Sequence, residues 1–161
     1  MILIVGWMSV VFGFSSEDGV QSQSLSDKIT TQVIEIIKPD FESLSEADRQ
    51  QFFNQVSFAV RKTGHFCEYG VLGFFVAGLL ITFRTAIKSH KIVIVGSAVW
   101  CMVYAVTDEI HQGFVAGRSP KVMDVAIDTA GGIIGAFALV IIQILIFKIR
   151  NRGKKVECLG E

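Results

Sequence analysis

The sequence has little proline, little cysteine and no excess of charge of either sign. Its two prolines, Pro39 and Pro120, both fall where apolar patterns start or stop, so the long stretches between them carry no proline break. Cys67, Cys101 and Cys158 share no C-x-x-C spacing, and two of them lie in apolar runs. That excludes a disulfide framework or a zinc ribbon. Lys plus Arg number 15 and Asp plus Glu number 15, and no basic stripe suits a nucleic acid. The opening apolar run lacks a basic leader and an A-x-A cleavage site, so it reads as a retained first span rather than a signal peptide.

What the chain has is apolar mass. Hydrophobic residues make up 51% of its 161 positions, with a mean hydropathy of +0.52. These values predict a small polytopic membrane protein in one compact unit. The expected fold is all-α, with four transmembrane helices at about 2–16, 65–83, 92–110 and 122–147. The first stretch would rise only about 20 Å as a helix against a hydrocarbon core of about 30 Å, so it must extend through Ser15 and Ser16, tilt, or thin the bilayer. The third is also short unless its helix continues from Asp108 to Gln112.

Residues 15–64 form a polar section between the first two spans. Leu25, Ile29, Val33, Ile36 and Ile37 follow helical spacing and stop at Pro39. A second helix is predicted after Ser45, which stands in capping-box spacing with Asp48 and precedes Phe52, Phe53, Val56, Ala59 and Val60. Two amphipathic helices are therefore expected here, either on the membrane surface or folded over the outer end of the bundle.

Lys and Arg set the expected orientation. The second connection holds Arg84, Lys88 and Lys91, and residues 148–161 form a basic tail with Lys148, Arg150, Arg152, Lys154 and Lys155. Acids outnumber bases in 15–64. Both termini are thus expected in the cytoplasm of a bacterial cell, with residues 15–64 outside.

That orientation brings one set of polar residues to one depth. Asp108, Glu109, His111 and Gln112 close the third span, His65 and Glu68 open the second, and Asp124 and Asp128 follow Ser119–Pro120 in the fourth. Ser119 reads as an N-cap and Pro120 as the first helical residue. Ionisable residues at the end of an apolar span are costly and need partners or a task. His65 with Glu68, and Asp108 with His111, stand three apart on one helical face. Such pairs suit a divalent metal held by His65, Glu68, Asp108, His111 and Asp124, or plain ion pairs between spans. Asp128 is either salt-bridged to Arg61, Lys62 or Arg118, or functional. Arg61, Lys62, Arg118 and Gln112 are candidates for a phosphate or other polar ligand, Arg118 foremost for its bidentate fork. His65, Glu68, Glu109, His111 and Asp128 are candidates for acid/base chemistry. Gly131, Gly132 and Gly135, with Gly70, Gly73 and Gly78, form small-residue patterns for close helix approach.

Two stretches resemble the signatures of the VanZ-like family. The first is Arg61-Lys62-Thr63-Gly64-His65-Phe66-Cys67-Glu68-Tyr69. The second is Asp108-Glu109-x-His111-Gln112-x-Phe114-x-x-Gly117-Arg118, followed by Asp124-Val125-x-x-Asp128. The resemblance implies a bacterial integral membrane protein, and through the family's namesake it implies a link to teicoplanin susceptibility.

Three functions fit. One is a non-enzymatic envelope protein that binds membrane lipid, a lipid-linked cell-wall intermediate or a lipophilic glycopeptide at the outer leaflet. Another is a metal-assisted or acid/base hydrolase or transferase on a phosphate-bearing lipid. The third is a structural protein whose polar cluster is interhelical glue.

Overall fold

The computed structural model describes residues 1–16, 19–83, 89–115 and 120–157. Among them are five α-helices and one short 3-10 turn, with no strand. They are α1 (Ile2–Ser16), α2 (Gly19–Ile37), α3 (Glu46–Thr82), α4 (His90–Gln112) and α5 (Val122–Glu157). The 3-10 turn, Phe41–Ser43, lies between α2 and α3.

Local chemistry explains most of the boundaries. α2 stops at Ile37, two residues before Pro39, because the residue preceding a proline is driven out of the helical region. α3 starts after Ser45, whose hydroxyl accepts the Asp48 amide N–H at 3.3 Å. The same hydroxyl donates to the Asp48 carboxylate at 2.6 Å. α4 runs on through Asp108 to Gln112, as its short apolar core required. α5 begins at Val122 rather than at Pro120, and the expected cap, Ser119, lies outside the described residues. Its helix also passes residue 147 and takes in the start of the basic tail.

α3 differs from expectation. The amphipathic helix after Ser45 and the span from His65 are one helix of 37 residues, about 55 Å long. Residues 61–64 change polarity without a proline, and a change in polarity alone does not break backbone hydrogen bonding. α2 packs on α3, and in the N-terminal half of α3 only Ser57 is buried. The stripe α2 buries is Ser26, Thr30 and Ile34, while Ile29, Ile36 and Ile37 face outward. Thr30 donates to its own helix at the Ser26 carbonyl, so a small satisfied side chain sits at the contact. The turn is tied by Phe41 against Phe52, ring centroids 6.1 Å apart, and by Arg49, which pairs with Glu42 at 2.7 Å and with Glu46.

Among the described residues, α3, α4 and α5 are long and apolar enough to cross a membrane. At 15 residues, α1 is apolar but reaches only about 22 Å. It packs on α3 and α4, adding Ile4 and Val11 to a core of Tyr69, Leu72, Val76, Cys101 and Ala105. A second core joins Ala77 and Val93 to Ala136 and Val140. Outside these cores Val95, Val99, Val103, Ile134, Phe137 and Ile141 are exposed, a surface that suits lipid chains and would be costly in water.

Glycine sets how close α3 and α5 come. A Cβ on Gly73 would collide with the Gly132 carbonyl oxygen, and one on Gly135 with that of Gly70. No side chain fits between these backbones, which is how membrane helices gain dispersion contact without a hydrophobic driving force.

Candidate functional site

One end of the bundle gathers the polar motifs. α1 and α4 finish there, α5 starts there, and α3 passes through. The register is fixed by hydrogen bonds between helices. The Tyr104 hydroxyl donates to the Met8 carbonyl at 2.7 Å, and the Trp7 indole donates to the Glu68 carbonyl at 2.8 Å. One turn or more further on, the Gln112 amide donates to the Ser15 hydroxyl at 2.9 Å and to Asp108 Oδ2 at 3.0 Å.

The expected site residues separate by role. Lys62 forms an ion pair with Asp124, both side chains mostly buried. Sequence reasoning offered Lys62 to Asp128, one helical turn deeper, and the shallower acid takes it instead. Glu109, 7% exposed, accepts the Lys121 backbone N–H at 2.7 Å, which anchors the entry to α5 on the end of α4. His65 Nδ1 stands 3.9 Å from Glu68 Oε2 on the same face of α3. His111 stacks on Phe12 with ring centroids 4.5 Å apart, and its Nε2 lies 3.2 Å from the Ser16 hydroxyl. Arg61 is exposed, and Arg118 lies outside the described residues.

Asp108, at 3% exposure, and Asp128, at 1%, are the deepest acids. Glu68, Glu109 and Asp124, from three helices, lie together with Asp108 within electrostatic range of Asp128. Among the described residues, Asp108 Oδ1, Asp128 Oδ1 and the Tyr69 hydroxyl are buried without a hydrogen-bond partner. Buried polar atoms left in that state are rare and costly, and they call for an explanation.

Metal ligation is another matter. Among the described residues no three or more His, Cys, Asp or Glu side chains are grouped to hold a metal ion. The set His65, Glu68, Asp108, His111 and Asp124 is divided instead: His111 is turned to α1 and Asp124 is bound to Lys62.

Sequence reasoning missed Ser15, Ser16 and Tyr69 as members of this cluster. The two serines close an apolar run, and that abrupt change was the available signal. Tyr69 was visible only as the last letter of a motif. Its burial depends on which helices pack around it.

A family model described as VanZ/LLP1 matches residues 1–145 of this chain. No curated protein and no solved structure matches it.

Proposed function

The chain belongs to the VanZ/LLP1 family, and from that premise we propose that it is an envelope membrane protein that binds the polar headgroup of a lipid-linked cell-wall intermediate or a lipophilic glycopeptide. The observation that carries this reading is the set of open acceptor oxygens on Asp108 and Asp128 at the polar end of an apolar bundle. Carboxylates bind ligands rich in hydroxyl, amide and amine donors, which sugar-peptide headgroups supply. They would repel a phosphate brought to the same oxygens, and Lys62, which would offset that repulsion, is committed to Asp124, so the sugar-peptide part of a headgroup, not its phosphates, would meet them. The hydrolase reading on phosphate-bearing lipids therefore has less support than binding. The glue reading is less favoured because glue would leave no buried acceptor open.

The binding test is a titration of teicoplanin, and separately of an undecaprenyl-linked disaccharide-peptide, into purified protein in nanodiscs. Saturable binding of at least one is expected, weakened about ten-fold or more in Asp128→Asn. Binding of neither, or equal affinity in the variant, would remove the reading.

Four spans with both termini in the cytoplasm belong to the same proposal. α1 enters the bilayer as a short helix held against α3 and α4, and residues 15–64 lie outside. The support is the Lys and Arg asymmetry of the sequence. In a cysteine-free background, Ser22→Cys should react with an impermeant thiol reagent applied to intact cells, and Ser89→Cys should not. The reverse pattern would invert the orientation.

A further inference from the structure

The open atoms at the centre of the bundle lie on three helices that approach one layer. On α5, Asp128 is one turn before Gly132, which packs on Cys101 of α4 and lies near the Tyr69 carbonyl of α3. Asp108 is two turns beyond Cys101 on the same face of α4. Side chains in a helix lean toward its N-terminus. Tyr69 on α3 therefore leans up toward the polar end, while Asp108, on a helix running the other way, leans down to meet it. Asp108 and Asp128 both lie within electrostatic range of the Tyr69 phenol. All three are at least nine-tenths buried, and each has an oxygen without a hydrogen-bond partner.

Charge is the unbalanced quantity. Two carboxylates stand in this layer, Glu68, Glu109 and Asp124 stand around it, and the described cations of this end are engaged or exposed. Lys62 pairs with Asp124, Arg61 and Lys121 lie at the exposed surface, and Arg61 is itself engaged there. Like charges taken out of water repel strongly and persist only with a compensating cation or by taking up a proton. Three oxygens from two carboxyl groups and a phenol are hard donors. They match a compact, hard cation better than a soft metal, and three acceptors equal the three donors of a terminal ammonium.

We propose that Tyr69, Asp108 and Asp128 form a binding site for one compact, singly charged cation. The charge comes either from a free alkali ion or from the terminal ammonium of the bound headgroup. Only the second source rests on headgroup binding. The site locks α3, α4 and α5 together when filled, because each helix supplies one oxygen.

The test is thermal unfolding of the purified full chain in nanodiscs at constant ionic strength. Sodium, potassium, methylammonium or bulky N-methylglucamine would be the sole added cation. Sodium, potassium or methylammonium is expected to raise Tm saturably over N-methylglucamine, by roughly 5 °C at about 100-fold the half-saturating concentration. An effect of the alkali ions alone identifies a free ion, and an effect of methylammonium alone identifies the headgroup's ammonium. Asp128→Asn and Asp108→Asn should abolish the dependence. Tyr69→Phe, which keeps the ring, should raise the half-saturating concentration about ten-fold. Equal Tm in all four cations overturns the proposal, as does wild-type dependence in the Asp variants. Headgroup binding that survives without any cation effect sinks this inference alone. A cation effect without headgroup binding sinks only the binding reading.

Discussion

Lys62→Met should destabilise the protein by about 3 kcal/mol, the scale for breaking a mostly buried ion pair from one side. Lys62 and Asp124 expose only 14% and 17% of their side chains, so little solvent screening reduces the effect. The loss is lopsided for a reason specific to this site. Without Lys62, Asp124 becomes one more uncompensated carboxylate beside Asp128, which Asp108, Glu109 and Glu68 already reach. Asp124→Asn removes an acid from the same crowd and should cost clearly less. The double variant Lys62→Met/Asp124→Asn should then be more stable than Lys62→Met alone, a coupling that thermal unfolding of all four proteins would expose. Additive losses would mean that Lys62 serves as an isolated surface anchor.

Gly135→Leu should be as damaging by a different route. Even its first side-chain carbon would overlap the Gly70 carbonyl and press on the Phe74 amide, and backbone has no rotamer with which to yield. Overpacking at such a contact costs about 3 kcal/mol, roughly 10 °C in Tm for a chain of this size. Gly6→Ala is the matched control, since nothing lies within 4 Å of its added carbon, and it should leave Tm unchanged or slightly raised. A Gly135→Leu protein that unfolds with wild-type Tm would refute the close approach of α3 and α5.

The features legible in the sequence are those that local chemistry decides. Ser45 and Asp48 mark a helix start wherever the chain goes next, and the structure has that cap. Pro39 ends α2 for reasons confined to its neighbours. Gly131 and Gly135 stood out as a small-residue stripe, and both meet α3 backbone. α4 had to reach Gln112 to be long enough, and it does.

The rest turned on partners far apart in sequence. A shift from polar to apolar at residues 61–65 resembled a helix boundary, yet α3 passes through it, because a change in polarity alone does not break backbone hydrogen bonding. Helical spacing of the apolar residues of α2 did not show which face would be buried, and the buried stripe is Ser26, Thr30 and Ile34. Which acid would take Lys62 was a matter of one helical turn on another helix. Ser15 and Gln112, 97 residues apart, meet only once α1 is docked parallel to α4. Tyr69, within electrostatic range of Asp108 and Asp128, joins the acids only once α3, α4 and α5 are packed together.

The central claim is that Asp108 and Asp128 act together as the acceptors of one headgroup. The most direct measurement is the affinity of teicoplanin or the undecaprenyl-linked disaccharide-peptide, whichever binds, in wild type, Asp108→Asn, Asp128→Asn and the double variant. All four proteins would be prepared in identical nanodiscs. Each single change should weaken binding about ten-fold or more, and the double should be scarcely worse than the poorer single, because one shared contact can be lost only once. Losses that simply multiply, or affinities untouched by either change, would contradict the claim.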